Sequence, residues 1–350
     1  MSVMLVAKLA QVPYSTAWRV INRKANVSPE SVERVLKAAK EIGFDPSLPR
    51  RGRRPRSDDG IRTHNIALLH LRMNTTLSLS VLRMVEQVLS ARNLNLIIAH
   101  VNSPDELPQA VRIGNVDGIL GYGQFPKGMA LGRLPKIPAV WMMTRYDFEP
   151  DEWGDRVLPD HKTIGRLAAQ YLLSKGHEHL VFLAAGSPLT APAIADRWAA
   201  FHAAANDRAA SVRMISTSTN SHIDVGFEAD VERGAQQLLD MSPRPTGVFV
   251  STDRITRVLH RALSSRGVKI GQDLQIVSCD NEAELLADLY PRPLSVDLHK
   301  REIARQAVER LLWRMRNGVE SPQVTISVAP GLADLSGPAP EDGRFVPAQL

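Results

Sequence analysis

Short apolar runs alternate with amphipathic stretches over most of the chain beyond residue 65. The apolar runs cover residues 66–71, 94–101, 116–121, 139–143, 180–184, 246–250 and 274–279. The stretches with apolar residues at helical spacing cover residues 79–92, 162–175, 193–204, 229–240, 254–266 and 300–316. Alternation of strand and helix is typical of parallel sheets with helices on both faces. The pattern therefore predicts an α/β region of two doubly wound halves, near residues 65–158 and 161–290.

The first 45 residues have a different pattern, because three short stretches there show helical spacing. The first two cover residues 3–10 and 14–22, and only Gln11-Val12-Pro13 separates them, which suits a tight corner between helices. The third begins at Ser28-Pro29-Glu30, where a cap residue precedes a proline and an acid in the first turn. Its expected apolar stripe is Val32, Val35, Leu36, Ala39 and Ile42. These features predict a small all-α helix-turn-helix domain.

Residues 46–60 consist mainly of Pro, Arg, Gly, Ser and Asp, with almost no apolar side chains. Such a segment cannot form a core, so we expect a domain boundary here. The predicted division is a helix-turn-helix domain at 1–46, a basic linker at 47–62, an α/β domain at 63–335 and a flexible tail at 336–350. The predicted halves of the larger domain are 63–158 with 292–318, and 161–290 with 321–335.

Positive charge is concentrated near the N-terminus. Residues 1–65 carry thirteen lysine and arginine residues against six acids, a surplus of seven, and the other 285 residues have a net charge of about −1. A basic module beside a nearly neutral remainder is typical of a protein whose small domain contacts a nucleic-acid backbone. A basic surface that serves only solubility is the alternative that charge alone leaves open.

The composition disfavours several other classes of protein. With 44% hydrophobic and 23% charged residues, the 350-residue chain can bury the cores of two or three domains. Cys279 is the single cysteine, which excludes an internal disulfide and suits a reducing cytoplasm. No run reaches the length of about 18 apolar residues that a membrane helix needs, and the first ten residues do not resemble an export signal. We therefore expect a cytoplasmic protein that does not associate with membranes.

Four groups of residues at fixed spacing span the first 47 positions. They are Val6-Ala7-x-x-Ala10-x-Val12, Thr16-x-x-Arg19-Val20-x-Asn22, Val27-Ser28-Pro29-Glu30 and Arg34-Val35-x-x-Ala38-Ala39-x-x-x-Gly43-Phe44-x-Pro46. Together they resemble the N-terminal domain of the lactose-repressor (LacI) family of bacterial transcription regulators. The resemblance implies a sequence-specific DNA-binding regulator, typically a repressor, whose second helix reads the DNA.

The same resemblance continues through the larger domain. Its motifs there are Val116-Asp117-Gly118-Ile119, Asp160, Leu172-x-x-x-Gly176-His177, Arg197-x-x-x-Phe201-x-x-Ala204, Pro245-Thr246, Thr252-Asp253, Gly267 and Cys279-Asp280. The family pattern implies two Rossmann-like halves of the periplasmic-binding-protein type I kind. It also implies a small-molecule effector, typically a sugar, in the cleft between the halves, and makes residues 63–335 the effector-binding and dimerisation domain.

Five residues of the second helix are candidate DNA contacts. The resemblance implies base contacts for Tyr14 and Ser15, and a base or phosphate contact for Arg19. Arg19 is the best candidate for specificity, since a guanidinium can pair with both acceptors of guanine. Thr16 and Asn22 fit phosphate contacts or capping groups. Because one small helix makes few base contacts, we expect a homodimer on a near-palindromic operator.

Some N-terminal residues depart from the family pattern. Leu5, Gln11 and Pro13 stand where the family usually has Asp, Gly and a capping Ser, and Trp18 stands where a small residue is usual. Loss of a serine cap costs about 1 kcal/mol, although proline suits a first helical position. Two roles are equally open for Trp18, which can cover the small core or touch DNA.

Effector contacts are predicted at five residues of the larger domain. The resemblance implies them for Arg197, Asp253 and Asp280, whose charged groups can each pair with adjacent hydroxyls of a polyol. Each has a structural alternative, an ion pair between the halves for Arg197 and a helix cap for the two aspartates. Arg72 and Asn74 lie in the loop after the first predicted strand, whose carboxyl end is expected to line the cleft.

Two other functions are compatible with a Rossmann-like fold. Gly121-Tyr122-Gly123 is only a fragment of a nucleotide-binding fingerprint, and no phosphate-binding lysine loop, nucleophile elbow or zinc spacing is present. A nucleotide-dependent enzyme is therefore disfavoured, and we expect no catalytic residue, metal or cofactor. A solute-binding protein would need an export signal and would have no use for the basic N-terminal module.

Asp160 and His177 are expected to be structural, as a helix cap and a helix-end residue.

The linker differs most from the family, whose members have a short hinge helix that enters the minor groove. This chain has Leu48-Pro49-Arg50-Arg51-Gly52-Arg53-Arg54-Pro55-Arg56 instead, and an interior proline costs a helix about 3 kcal/mol. The segment partly resembles an AT-hook, in which extended arginines enter a narrow A·T minor groove. We therefore predict minor-groove contacts for Arg51, Arg53 and Arg54, with a solvated spacer as the alternative.

Replacing Arg51, Arg53 and Arg54 with alanine should lower affinity for the operator and flatten its salt dependence by up to about three phosphate equivalents. Preference for A·T pairs beside the major-groove contacts should also disappear. The comparison variant is Leu48→Ala, which should weaken binding more than the arginine changes only if a hinge helix forms. Footprinting with a minor-groove probe tests the prediction, and an unprotected minor groove in the wild-type complex would refute it.

Overall fold

The structure is a computed structural model of the whole chain. It describes residues 3–22, 24, 27–41, 61–71, 76–101, 107–123, 137–143, 154–186, 191–217 and 226–333. The chain divides into two compact units, residues 1–55 and 56–350. The linker residues Arg51, Arg53 and Arg54 and the predicted tail lie outside the described residues.

Three helices make up the described part of the first unit, α1 Val3–Leu9, α2 Tyr14–Ile21 and α3 Pro29–Glu41. Their inner faces share a core of Val6, Ala7, Ala10, Ala17, Val20, Ile21, Val35, Ala38 and Ala39, which confirms the predicted helix-turn-helix domain. Leu36 was wrongly assigned to the apolar stripe, since it is 48% exposed. A helix turns by about 100° per residue, so Val35, Ala38 and Ala39 share one face and Leu36 points away from it.

The described part of the second unit contains twelve strands and eight helices. The strands are β1 Asn65–Leu71, β2 Asn95–Val101, β3 Gly118–Tyr122, β4 Ala139–Met142, β5 Asp155–Pro159, β6 His179–Ala185, β7 Ser211–Thr217, β8 Gly247–Val250, β9 Gln275–Cys279, β10 Leu294–Asp297, β11 Thr325–Val328 and β12 Gly331–Ala333. The helices are α4 Thr76–Ser90, α5 Gln109–Arg112, α6 His161–Ser174, α7 Pro192–Asn206, α8 Phe227–Leu239, α9 Asp253–Ser265, α10 Ala283–Leu286 and α11 Lys300–Asn317.

These strands form two six-stranded sheets, which confirms the two doubly wound halves. The first has the order β11-β5-β4-β3-β1-β2 and the second the order β12-β10-β9-β8-β6-β7. The recorded pairings are parallel except that of β10 with β12. The antiparallel strand differs from the prediction and follows from the path of the chain. β11 ends at the carboxyl edge of the first sheet, and only two residues separate it from β12. β12 therefore enters the second sheet at the carboxyl end of β10 and runs antiparallel to that strand.

The points where the chain passes between the halves differ from the predicted ones. Residues 292–318 were assigned to the first half, but β10 lies in the second sheet, beside β9. Residues 321–335 were assigned to the second half, but β11 pairs with β5 of the first sheet. Helix α11 does pack on the first half, against α4. A strand of four residues carries no local signal that identifies its partner, so only the assembled sheets decide the assignment.

A buried ionic cluster fixes α11 to the first sheet. Asp155, at the start of β5, accepts hydrogen bonds from Arg310, from Nη2 of Arg314 at 2.6 Å and from the backbone N of Val324 at 2.7 Å. Arg314 also donates to the carbonyl oxygens of Val319, Ser321 and Pro322. Burial alone would raise the pKa of Asp155, but the hydrogen bonds from Arg314 and Arg310 outweigh it and hold the pKa below its usual value. The carboxylate is therefore ionised and joins three segments.

Replacing Asp155 with alanine should lower the free energy of unfolding of the second unit by about 3–5 kcal/mol, because Arg314 would stay buried without its counter-charge. Arg305→Ala is the matched control. Arg305 pairs with Glu302 and Glu309 on the exposed side of the same helix, where such pairs contribute at most about 1 kcal/mol. Chemical denaturation of both variants measures the difference, and similar losses would contradict the assigned role of Asp155.

Candidate effector site and nucleic-acid interface

Three predicted effector residues meet at the carboxyl ends of the strands in the second half. Arg197 lies on α7, Asp253 begins α9 just after β8, and Asp280 follows β9 directly. All three are buried, with 6%, 0% and 4% exposure. Open α/β sheets bind ligands at this edge. Arg72 and Asn74, which were predicted to line the same cleft, lie outside the described residues.

Arg197 is held by neighbours of its own half. Its Nε donates to Nδ1 of His161 at 3.2 Å, and its Nη1 donates to the carbonyl oxygen of Ser251 at 2.8 Å. Burial, together with the charge of Arg197, holds the pKa of His161 well below its usual value, so the ring is neutral and Nδ1 can accept. These contacts fix the plane of the guanidinium and do not correspond to the alternative of an ion pair between halves.

A glycine determines how closely α7 approaches α6 at this point. A Cβ on Gly165 would lie 2.0 Å from the carbonyl oxygen of Arg197, a distance that no side chain can occupy. Any larger residue would push α7 away and carry Arg197 with it. The position of the guanidinium therefore depends on the absence of a side chain on the neighbouring helix.

The carboxylate of Asp253 is fully engaged inside its own half. Oδ1 accepts hydrogen bonds from Ser278 Oγ and, at 2.8 Å, from Ser295 Oγ, while Oδ2 accepts from the backbone N of Glu282 at 2.5 Å. Burial raises the pKa of Asp253 to about 6, although these hydrogen bonds favour the ionised form. Asp253 thus connects the ends of β9 and β10 to the loop that begins with Asp280.

Asp280 occupies a strained backbone position. Its φ is +107°, a left-handed conformation that costs a non-glycine residue about 1–3 kcal/mol. Nζ of Lys300 donates to the carbonyl oxygens of Asp280 and Asn281, at 2.8 and 3.0 Å, and holds the turn. Burial raises the pKa of the Asp280 carboxyl well above its usual value, and the positive charge of Arg197 partly counteracts this. Strain of this kind is concentrated at functional sites.

Three residues that the motifs did not indicate lie at the carboxyl ends of strands in the first half. His70 on β1 is in register with His100 on β2 and with Tyr122 on β3. The rings of His70 and Tyr122 stack with centroids 5.7 Å apart, and Nδ1 of His70 lies 3.3 Å from Nδ1 of His100. A polar residue near the end of each of three adjacent strands is the sequence signal that could have found them.

Two polar atoms of this stacked pair are buried. Within the described residues, the hydroxyl of Tyr122 and Nε2 of His70 are buried and have no hydrogen-bond partner. Burial raises the pKa of Tyr122, and the charges of Asp280 and Glu282 in the other half add to the effect. A buried unpaired group costs about 1–3 kcal/mol. A polar ligand between the halves would remove that cost.

The glycines around Tyr122 serve packing and backbone geometry. A Cβ on Gly121 would lie 1.9 Å from the ring of Trp141 on the adjacent strand, and Gly123 has a φ of +92°. Gly121-Tyr122-Gly123, which sequence alone leaves as a fragment of a nucleotide fingerprint, thus has a structural explanation.

The structural roles predicted for Asp160 and His177 are confirmed by their contacts. Asp160 caps α6, since its carboxylate accepts from the backbone N of Thr163 at 3.0 Å and from its hydroxyl at 2.7 Å. Nδ1 of His177 lies 3.0 Å from Oγ1 of Thr246, and burial lowers the pKa of its ring. Neither residue points to ligand chemistry.

The described part of the chain offers no metal site, no membrane-spanning helix and no reactive thiol. There, no group of three His, Cys, Asp or Glu residues could hold a metal ion. No helix in the same ranges is both long and apolar enough to cross a membrane. Cys279 is a buried free thiol, and burial raises its pKa well above the usual value, so it is protonated and poorly nucleophilic.

The predicted DNA contacts lie on α2 of the first unit. Tyr14, Ser15 and Arg19 are exposed, and the opposite side of the helix packs in the core of the unit. Asn22 donates through Nδ2 to the carbonyl oxygen of Trp18 at 2.7 Å, a capping contact at the end of α2. Trp18 is 40% exposed and does not belong to the core, so the structure disfavours the alternative in which it covers that core.

The two units together define a class of protein, a DNA-binding regulator with a sensor domain for a small molecule. Residues 5–47 match the model of bacterial regulatory proteins of the lacI family, and residues 169–334 match the periplasmic binding protein-like domain. The chain is 30% identical to the ribose operon repressor of Haemophilus influenzae, over 90% of this chain and 92% of that protein. It therefore belongs to the LacI family and is a transcription regulator controlled by a small-molecule effector.

Other similar proteins agree with this membership. The HTH-type transcriptional repressor PurR of Vibrio atlanticus is 28% identical over 89% of this chain and 91% of its own length. A transcriptional regulator CelR–cellobiose complex has the same fold, with a TM-score of 0.63 and 22% identity over 95% of this chain and 98% of that one. The lac repressor dimer bound to operator and an anti-inducer also has a TM-score of 0.63, with 17% identity and the same coverage.

The high pKa of Asp253 predicts a pH dependence of stability. The folded state binds this proton more tightly than the unfolded state, whose aspartate has the ordinary value of 3.8. Its contribution to stability is therefore complete below pH about 4 and is lost as the pH rises to about 6. We expect the free energy of unfolding of the wild type, relative to Asp253→Asn, to fall by on the order of 2 kcal/mol over this range.

Denaturant titrations at several pH values between about 4 and 7 measure that difference. Asp207→Asn is the control, since Asp207 is an exposed aspartate at the end of α7. If the wild type and Asp253→Asn had parallel pH profiles, the assigned state of Asp253 would be wrong.

Proposed function

We propose that this regulator represses transcription as a homodimer on a near-palindromic operator, and that an uncharged carbohydrate controls it. The observation that carries the effector assignment is a pair of facing polar groups. Arg197 and Asp280 are buried at the carboxyl edge of the second sheet. The hydroxyl of Tyr122 is buried at the carboxyl edge of the first sheet and has no hydrogen-bond partner among the described residues. The ribose operon repressor among the relatives and the cellobiose complex among the structural neighbours support a carbohydrate.

The charges of the cleft favour a neutral effector with several hydroxyl groups. Asp253, Asp280 and Glu282 supply three acids, and two cations, Arg197 and Lys300, act on them. The ammonium of Lys300 is already bound to backbone carbonyls. Hydroxyl groups can donate to these acids and accept from Arg197. A sugar phosphate would instead compete with the same acids for the cations.

Each residue then has a specific role. Arg197 and Asp280 contact adjacent hydroxyls, while Tyr122 and His70 bind from the first half. Asp253 holds the loop that carries Asp280, because its own oxygens are occupied. We also place Arg72 and Asn74 at the site, on the grounds of their position after β1. A ligand that touches both halves favours one closure state over the other, and this difference in affinity is what couples the effector to DNA binding.

We propose that the protein is not an enzyme. The candidate acids and bases are committed elsewhere, since Asp253 accepts three hydrogen bonds and His161 accepts one from Arg197. Burial keeps the thiol of Cys279 protonated. The hydroxyl of Ser278 does donate to Asp253, but the same carboxylate also accepts from Ser295 and from the backbone of Glu282, an arrangement that suits a structural support better than a general base.

For the DNA side, we assign base contacts to Tyr14, Ser15 and Arg19, which are exposed together on α2. Thr16 and Asn22 are assigned to the sugar-phosphate backbone, where Asn22 also caps the helix. Arg51, Arg53 and Arg54 are assigned to the adjacent minor groove on sequence grounds. A regulator of this kind acts in the cytoplasm, where the bacterial chromosome lies.

The effector assignment predicts that neutral sugars, and not their phosphates, raise the melting temperature of the full-length protein. Pentoses, hexoses, cellobiose, ribose 5-phosphate and purines form the test panel. Arg197→Ala should lower the affinity for the responding sugar by about tenfold or more, since a charged hydrogen bond contributes about 1.5–3 kcal/mol. Its DNA affinity without the sugar should stay near that of the wild type.

Arg257→Ala is the control for that experiment, because Arg257 pairs with Asp288 on the surface of the same half. Titration calorimetry with the responding sugar compares the variants. A response to phosphates or purines alone, or an unchanged affinity in Arg197→Ala, would overturn the assignment of the cleft.

A further inference from the structure

Two large aromatic residues are exposed on the helix that is assigned to DNA. Tyr14 is 53% and Trp18 is 40% exposed, although α2 has only eight residues. Residues four apart lie on the same side of a helix, so both rings occupy one stripe. Ala17, Val20 and Ile21 form the buried side of the same helix. The aromatic stripe is thus separate from the core of the first unit.

The same surface carries polar groups suited to base reading. Ser15 and Arg19 each follow one of the aromatic residues and are also exposed, so the four side chains form one continuous face. We call this face of Tyr14, Ser15, Trp18 and Arg19 the α2 outer face. Two large aromatic side chains exposed on one stripe of a basic, polar face indicate a partner with both charge and apolar groups.

Duplex DNA is the partner that fits this combination. The first 65 residues have a surplus of seven positive charges, which matches a polyanion. Within the major groove, the base edges present hydrogen-bonding atoms and one apolar group, the C5 methyl of thymine. A protein partner would match the apolar stripe but not the concentrated positive charge.

We propose that Trp18, on the same stripe of α2 as Tyr14, contacts a thymine methyl in the operator and makes thymine preferred at that base pair. The contact is independent of hydrogen bonding, so it adds a position of specificity to the one read by Arg19. It rests on the proposed role of α2 as the reading helix. Discrimination by Trp18 should amount to the burial of one methyl group, about fourfold in affinity.

The test begins with a binding site selected by the full-length protein from a pool of random duplexes. Each thymine of that site is then replaced by deoxyuridine, which removes only the C5 methyl. We expect one replacement per half-site to weaken binding of the wild type by about fourfold and to leave Trp18→Ala unaffected. Trp18→Ala itself should bind the unmodified site at least fourfold more weakly than the wild type.

The control variant is Trp313→Ala, which removes a tryptophan that is 39% exposed on α11 of the second unit. It should show the wild-type pattern of deoxyuridine effects. Trp18→Phe retains an aromatic ring and should keep part of the methyl effect, which separates loss of the contact from loss of folding.

Three outcomes would overturn the inference. They are equal deoxyuridine effects in wild type and Trp18→Ala, equal losses by Trp18→Ala on selected and random DNA, and a loss of thermal stability without a change in DNA binding. The last would show that Trp18 covers a protein surface. Arg19→Ala tests the proposed function on which this inference rests. If Arg19→Ala and Trp18→Ala both kept the base preference of the wild type, α2 would not be the reading helix.

Discussion

The carboxylate of Asp253 is the contact on which the effector edge of the second half depends. It joins β9 through Ser278, β10 through Ser295 and the following loop through the backbone of Glu282. A buried carboxylate is tolerated only when donors surround it, so the three segments must converge for the charge to stay inside. The same convergence fixes the loop that begins with Asp280. In the proposed site, Asp253 therefore supports the residue that contacts the effector.

Each of the two sheet edges carries a buried polar group in an unfavourable state. The left-handed backbone conformation of Asp280 costs free energy, and burial makes the ionised form of its side chain unfavourable. Across from it, Tyr122 and His70 bury polar atoms that find no partner among the described residues. Each side would be more stable with a polar group between them. In the proposed mechanism this arrangement couples the ligand to closure, because a ligand that satisfies both sides stabilises only conformations in which they face each other.

The first unit combines small core residues with large aromatic residues on its surface. Among the described residues, its core contains only alanine, valine and isoleucine side chains, so α2 can pack closely while its bulky aromatic residues stay outside. Small core residues leave little apolar area to bury, and the stability of such a unit is correspondingly modest. Because Tyr14 and Trp18 lie on the outer face, their apolar area does not contribute to the stability of the core. The positive charge of the surrounding sequence is consistent with a surface that is completed by DNA.

Much of this protein was determined by local sequence. Hydrophobic spacing was sufficient to identify the parallel sheets and the three N-terminal helices, and family motifs located Arg197, Asp253 and Asp280, because period and motif are properties of neighbouring residues. Tertiary structure alone assigned β10 and β11 to their sheets and brought His70 beside Tyr122. It also showed what Asp253 does, since the serines that bind it lie 25 and 42 residues away in the chain. Contacts over such distances depend on strand order, which no local pattern specifies.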